Sequence, residues 1–164
     1  HGTYPVDGVP LPQQGLEIGP SDRGRRFVGH FEEALLPRPG PLQMKGFRSS
    51  GATNVGLSML VDEVVGAVHH TLFVVEFAPT GAELTLGGQH FHPFEETYYI
   101  VEGEAVVRLE DESVPVAPGD AVFAGVGVLH GFTNAGDQPV RWIEAQAPTP
   151  PPAGALFFAH DWTT

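Results

Sequence analysis

The sequence predicts an all-β fold, either a sandwich or a barrel, with an extended arm before it and a tail after it. From Gly51 onward, β-branched and aromatic residues gather in short runs that are typical of strands. Gly, Pro and Asp separate these runs, and no helix of any length is expected between them. The strands are expected near residues 53–61, 70–78, 96–102, 104–110, 113–117, 120–124, 130–135 and 139–147. Short strands joined by tight turns are the pattern of sandwiches and barrels.

Residue type defines two of the turns sharply. Residues 101–104 contain Gly103, which adopts a positive φ at no steric cost, and residues 117–120 contain Pro118, whose ring presets φ. Both segments are therefore predicted to be tight turns between consecutive strands.

Composition divides the chain into an arm (residues 1–50), a barrel (51–147) and a tail (148–164). The arm is rich in Pro and Gly, which excludes long helices. The tail begins with prolines, which cannot continue a central strand. Apolar aromatic residues follow them: Phe157, Phe158 and Trp162. These aromatics are expected to cover an outer sheet face or a partner subunit, because they would otherwise stand in water.

Length, cysteine content and charge exclude several classes of protein. A chain of 164 residues suits one domain with appendages. Cysteine is absent, so disulfides, thiolate metal sites and cysteine nucleophiles are excluded. The net charge of −12 repels nucleic acid and anionic membranes. No apolar run reaches the ~18 residues of a membrane helix, and no secretory signal is recognisable, so a cytoplasmic location is expected.

Three histidines and one glutamate form a candidate metal site. In an extended segment alternate side chains share a face, so His90 and His92 project together. Glu96 opens the next strand, with Tyr98 and Ile100 on its face. His130, beside glycines that permit close approach, is the candidate fourth ligand from a remote strand.

This ligand set suits one divalent transition metal ion. Imidazole and carboxylate without sulfur fit Mn, Fe, Co, Ni, Cu or Zn, and the pattern does not choose between them. An octahedral ion with four protein ligands keeps two positions for substrate, dioxygen or water. The alternative is a set of structural histidines that hydrogen-bond within the barrel.

The spacing of these residues resembles the two motifs of the cupins. The first motif, His-x-His followed by Glu and then Gly, is matched by His90, His92, Glu96 and Gly103, although Leu84 stands where the motif begins with glycine. The second is matched by Gly119, Gly127, His130 and Asn134, with Gly125 in place of a proline. The resemblance covers about residues 70–147. It implies a double-stranded β-helix, or jelly roll, with the metal inside and the four ligands named above.

The resemblance implies several chemistries, because cupins include dioxygenases, isomerases, lyases, decarboxylases and binding proteins. The first hypothesis is a metal-dependent dioxygenase that acts on a small organic molecule, with Glu96 as ligand and general base. Tyr98, Phe132 and Asn134 would line the substrate pocket, although inward aromatics are equally normal in a barrel core.

Two alternatives stay open. One is redox-neutral isomerase, lyase or hydrolytic chemistry on a small hydroxy or keto acid, in which Tyr98 or Glu96 moves a proton. The other is a non-catalytic module that binds a ligand and uses the metal structurally. His69 and His70 are expected to be exposed or to have a structural role.

The arm predicts a homodimer. Its apolar residues cannot bury much surface by themselves, and open sheets expose edges that need cover. The residues expected to pack against the neighbouring barrel are Phe27, Phe31, Leu35 and Leu36.

Overall fold

The structure is a computed structural model. It describes residues 31, 55–62, 65–77, 79, 89–134, 136–148 and 157–158. Within these residues the chain forms ten strands: β1 (Val55–Val61), β2 (Thr71–Phe77), β3 (His90–Phe91), β4 (Glu95–Glu102), β5 (Ala105–Leu109), β6 (Glu112–Val116), β7 (Ala121–Ala124), β8 (His130–Thr133), β9 (Val140–Ala147) and β10 (Phe157–Phe158).

The strands form two antiparallel sheets of five strands each. One sheet has the order β1-β2-β9-β4-β7 and the other β10-β3-β8-β5-β6, so chain neighbours often lie in different sheets. The described residues contain no α-helix. The predicted all-β fold is confirmed, and the arrangement of the two sheets is that of a jelly roll.

Alternating side chains build the core between the sheets. In β4 the even-numbered residues from Glu96 to Ile100 are buried, and Thr97 and Tyr99 are exposed, as the period of two predicts. The buried apolar cluster draws on both sheets: Val55, Leu57, Met59, Phe73, Val75, Phe77, Tyr98, Ile100, Ala105, Val107, Val116, Val122, Ala124, Phe132, Val140 and Trp142. Each large side chain among them stabilises the fold by ~1.5–3 kcal/mol through burial.

The predicted strands are all present, with ends that differ by at most two residues. The sequence did not predict β3 and β10, which pair with each other through Phe157 and Phe91, and through Phe158 and His90. The tail therefore adds an edge strand beside β3. Trp162 lies outside the described residues.

Both predicted turns are confirmed. Gly103 has a φ of 74°, and a Cβ there would overlap the carbonyl oxygen of Pro139. Gly119 has a φ of 100° in the turn where the Asp120 N–H donates to the Ala117 carbonyl at 3.0 Å. The turn at Gly103 carries the chain from β4 in one sheet to β5 in the other.

One arm residue, Phe31, is described, and it lies against the barrel of its own chain. Its ring centroid is 5.6 Å from the guanidinium carbon of Arg141. Arg141 also pairs with Glu76 at 2.5 Å and with Glu102 at 2.8 Å. The other apolar arm residues of the predicted dimer contact lie outside the described residues. No helix in the described part of the chain is long and apolar enough to cross a membrane.

Candidate metal centre

The structure brings together the four side chains that the sequence singled out. His90 lies in β3, His92 directly after it, Glu96 in β4 and His130 in β8. Their ligand atoms all lie within 4.8 Å of one another, and all four residues are buried. Two ligands on opposite sides of an ion, each at ~2.1 Å, would be about 4.2 Å apart, so a shift of about 0.6 Å in the widest pair would bring the cluster to metal-ligand distances.

Strand pairing creates this convergence from distant parts of the chain. His90 and His130 are direct partners across β3 and β8, and their ring centroids are 4.3 Å apart. The chain turns between β3 and β4, which places His92 and Glu96 against each other across the two sheets. The His92 and His130 rings are 4.9 Å apart.

Main-chain carbonyls orient two of the imidazoles. His92 Nδ1 lies 2.7 Å from the carbonyl oxygen of Phe94, and His130 Nδ1 lies 2.8 Å from that of Val128. A carbonyl only accepts hydrogen bonds, so each Nδ1 carries the hydrogen. The Phe94 ring also stacks on His92 at 3.9 Å. In both residues Nε2 is thereby directed into the cluster.

The cluster needs positive charge at its centre. His92 Nε2 lies 2.9 Å and His130 Nε2 lies 3.0 Å from the same oxygen of Glu96, Oε2. In neutral imidazoles with Nδ1–H, each Nε2 presents a lone pair, and two lone pairs facing a carboxylate oxygen repel unless protons or a cation lie between them. A divalent ion supplies that charge, so the donor chemistry of these residues fits a metal.

The surroundings of Glu96 also favour its ionised form. Burial raises the pKa of Glu96, but its hydrogen bonds with His130 and His92 and their charge outweigh burial and hold the pKa well below its usual value. Tyr98 donates its hydroxyl hydrogen to Glu96 Oε2. Burial and the nearby carboxylates of Glu96 and Glu144 raise the pKa of Tyr98 well above its usual value, so Tyr98 keeps its proton.

Two polar residues of β9 reach the cluster, and the sequence analysis did not find them. Gln146 Nε2 donates to Glu96 Oε1 at 2.6 Å and to Glu144 Oε1 at 3.2 Å. Glu144 Oε2 also accepts from Trp142 Nε1 at 3.0 Å. The period of two could have predicted them. Trp142, Glu144 and Gln146 alternate along one strand, so an inward Trp142 places both polar residues inside the barrel.

Glu144 is a buried carboxyl group outside the ligand cluster. Burial, followed by the charge of Glu96, raises the pKa of Glu144 well above its ordinary value. Glu144 faces Tyr98 across the pairing of β9 with β4. The inner face of the sheet thus carries two groups beside the cluster, Tyr98 and Glu144, whose pKa values are both raised.

Glu110 holds together the two segments that carry His90 and His130. Its N–H donates to the Leu129 carbonyl at 2.7 Å, its Oε1 accepts from the Leu129 N–H at 3.1 Å, and its carbonyl accepts from Gln89 Nε2 at 2.8 Å. Glu110 has a φ of 53°, which is uncommon for a residue with a side chain.

The structure gives the predicted pocket residues other contacts. Phe132 packs in the core, with its ring 4.8 Å from those of Tyr98 and Trp142. Asn134 Nδ2 donates to the carbonyls of Phe77 and Gln138, at 3.2 and 2.9 Å. Contact of these residues with a substrate stays a prediction. His69 and His70 are exposed.

A groove of about 490 Å³ lies on another part of the barrel. It is lined by Glu104, Ala105, Val106, Pro115, Val116, Ala117, Asp120 and Gly136. No member of the His/Glu cluster is among these residues, so the groove is separate from the candidate centre.

The barrel matches a known family. Residues 73–145 match the family model of the cupin domain. This segment thus forms a cupin domain. The matched segment contains all four residues of the cluster, in keeping with the two motifs in the sequence.

Two curated relatives of this cupin have names that refer to polyketide synthesis. The chain is 34% identical over 105 residues to the tetracenomycin polyketide synthase protein TcmJ of Streptomyces glaucescens, covering 63% of this chain and 66% of the relative. It is 31% identical over 64 residues to the polyketide synthase CurC of Streptomyces cyaneus, covering 38% of this chain and 42% of the relative. The chain thus spans less than two thirds of the length of these relatives.

A solved structure shares the fold of this cupin. The polyketide cyclase RemF from Streptomyces resistomycificus superposes with a TM-score of 0.59 at 24% identity, over 74% of this chain and 80% of that chain. At this identity the likeness shows the jelly-roll fold.

Proposed function

We propose that this cupin is an enzyme that uses one divalent transition metal ion to act on a small polyketide-type molecule. The observation that carries the proposal is the meeting of His90, His92, Glu96 and His130 inside the barrel, with ligand atoms within 4.8 Å of one another. These four residues would hold the ion. When bound, the ion supplies Lewis-acid activation and an anchor for oxygen anions of a substrate.

The substrate class follows from the ligand chemistry and from the names of the relatives. A polyketide chain carries carbonyl groups on alternate carbons, and its enolate presents two oxygens that suit a divalent ion with open positions. The names of TcmJ and CurC both refer to polyketide synthesis. Both points support a poly-keto or phenolic substrate over the hydroxy acid considered from the sequence.

The buried proton carriers support redox-neutral ring closure. In such a reaction a carbon between two carbonyls loses a proton, a carbon–carbon bond forms to a ketone carbon, and the ketone oxygen takes up a proton; water is then lost. Atoms and electrons balance without an oxidant. Tyr98 and Glu144 are buried beside Glu96 and the pKa of each is raised, so their protonated forms would donate to an oxygen anion that develops there.

The dioxygenase reaction that the resemblance implied is the competing proposal. The same four residues would serve it, and Glu96 would then act as ligand and as base. The two reactions differ in one measurable quantity, because only the dioxygenase consumes dioxygen.

The experiment compares turnover under air and under argon. The protein is loaded with Fe²⁺, Mn²⁺, Ni²⁺ or Zn²⁺ in turn and given a linear aromatic triketone or a flavonol, and product mass and oxygen uptake are measured. We expect the triketone to lose water under both atmospheres, and Glu96→Ala to abolish this while the exposed control His70→Ala does not.

Other outcomes would change the proposal. Oxygen uptake in proportion to product would make the protein a dioxygenase. Binding of the triketone without turnover by any metal form would make it a ligand-binding module with a structural metal. A cytoplasmic location stays a prediction.

A further inference from the structure

Gln146 bridges the two carboxyl groups inside the barrel. Its two Nε2 hydrogens are directed at Glu96 Oε1, 2.6 Å away, and at Glu144 Oε1, 3.2 Å away. Its Oε1 accepts from the Thr71 hydroxyl at 3.2 Å. All the hydrogen-bonding directions of this amide except one lone pair are therefore used. The ionised carboxylate of Glu96 only accepts hydrogen bonds, so it fixes which end of the amide faces it.

Strand register holds the amide in place. Thr71 pairs with Gln146 across β2 and β9, and Gln146 pairs with Glu96 across β9 and β4. The three residues thus form one row on the inner face of the sheet, and Gln146 and Thr71 are almost fully buried. Side chains opposite one another on neighbouring strands contact directly, so no loop movement is needed to bring them together.

The amide divides the two oxygens of Glu96 between two tasks. Oε1 accepts the hydrogen bond from Gln146, whereas Oε2 faces the Nε2 atoms of His92 and His130. Oε2 also accepts from the Tyr98 hydroxyl, so the two oxygens differ in position: the bond from Gln146 holds Oε1 towards β9, whereas Oε2 faces the two imidazoles. Rotation of the carboxylate about its last bond would break that hydrogen bond.

We propose that Gln146 is a positioning residue that restrains Glu96 to bind the metal through Oε2 alone. The inference rests on the proposed metal site and adds a residue that the two cupin motifs in this sequence do not contain. By keeping Oε1 away from the ion, Gln146 preserves a coordination position for the substrate. The amide also donates one hydrogen bond to each of the two carboxyl groups.

The test uses Co²⁺ as a probe of the full-length protein. Gln146→Leu removes the amide and retains an apolar side chain of similar size. We expect it to weaken Co²⁺ binding, measured by competition with a chelator, by about 10–100-fold. We also expect the visible Co²⁺ spectrum to lose intensity, because a second carboxylate oxygen would raise the coordination number. Thr71→Val removes only the hydroxyl behind the amide. It should lower the Co²⁺ affinity and the intensity of the Co²⁺ spectrum, each by a smaller factor.

Val140→Ala is the matched control, because Val140 is buried on the same strand and belongs to the apolar core. It should lower thermal stability and leave Co²⁺ affinity and spectrum unchanged. Affinity and spectrum that stay at the wild-type values in Gln146→Leu would overturn the inference while leaving the metal site intact. If Gln146→Leu does not fold, Thr71→Val decides by the same two readouts. Wild-type protein that binds no Co²⁺ would instead remove the proposed function itself.

Discussion

His130 Nε2 lies 3.0 Å from Glu96 Oε2, although the two residues are 34 positions apart and belong to different sheets. This contact joins β4, which carries the glutamate of the first motif, to β8, which carries the histidine of the second. Because His92 Nε2 reaches the same oxygen, the carboxylate lies at the centre of the cluster.

Removal of one imidazole should abolish metal binding without unfolding the barrel. We expect His130→Ala to lower the affinity for Zn²⁺ or Co²⁺ by at least about 100-fold. Substitution of residues that only support metal ligands lowers affinity by about 10–100-fold, and loss of a ligand should lower it at least as much. Metal content after dialysis and calorimetric titration would measure it. His70→Ala, which removes an exposed imidazole, should bind like the wild type; equal affinity in all three proteins would contradict the site.

Tyr98 should stay protonated through alkaline titration of the folded protein. Burial and the charges of Glu96 and Glu144 raise the pKa of its phenol. The chain has three tyrosines, so the rise in phenolate absorbance of wild type should equal that of Tyr98→Phe until unfolding begins. A smaller rise in Tyr98→Phe, seen while circular dichroism still reports folded protein, would show that Tyr98 ionises normally.

Glu144→Gln should stabilise the metal-free protein near neutral pH. The pKa of Glu144 is raised above its ordinary value of 4.5, so the unfolded chain loses its proton at a lower pH than the native state does. Stability from this group is therefore complete below that value and falls as the pH rises. The amide has no such dependence, so the stability of the variant relative to wild type should increase as the pH rises from acid to neutral.

Urea unfolding of wild type and Glu144→Gln across about pH 4 to 8 measures this difference. Glu112→Gln, which removes an exposed carboxyl group of β6, is the control. A stability difference between wild type and Glu144→Gln that does not change with pH would contradict the assignment.

Gly103→Ala should destabilise the fold more than Gly127→Ala. The two glycines have nearly the same φ, 74° and 76°, so alanine has a conformational cost of about 1–2 kcal/mol at both. At Gly103 a Cβ would also overlap the Pro139 carbonyl, whereas at Gly127 no atom lies within 4 Å of it. Equal losses in the free energy of unfolding would show that the backbone at Gly103 has room to move.

The predicted homodimer is tested by light scattering. The full chain should have twice the monomer mass, and a chain without residues 1–50 should have the monomer mass, because arm residues are expected to cover the neighbouring barrel. Monomer mass for both chains would contradict the prediction. Phe31→Ala, which removes the ring over Arg141, tests whether that contact is needed for the assembly.

The local residue pattern predicted most of the strands of this fold. The two strands that it did not predict, β3 and β10, depend on pairing between distant parts of the chain. Period-two alternation and turn residues were sufficient for strands such as β4, where Glu96 and Tyr98 share the inner face. A strand of two residues such as β3 is too short to show alternation. The strand β10 forms after a proline-rich segment and depends on a partner far away in the chain.

The candidate site shows the same division. Motif spacing alone predicts the four residues of the cluster. The sequence did not predict a role for Gln146, because a single amide near the end of a strand belongs to no motif. Its contact with the site follows from its register with Glu96 and Thr71. The choice of ring nitrogen in His92 likewise depends on a carbonyl whose position sequence does not specify.

The cluster draws its residues from both layers of the sandwich: Glu96 comes from one sheet, and His90 and His130 from the other. An ion bound by all of them would cross-link the layers at the point where they meet. Ligand binding to the native state alone adds RT ln(1 + [L]/Kd) to its stability. The melting temperature of this barrel would therefore rise with the free metal concentration. A chelator would lower it, because it would remove the cross-link between the two sheets.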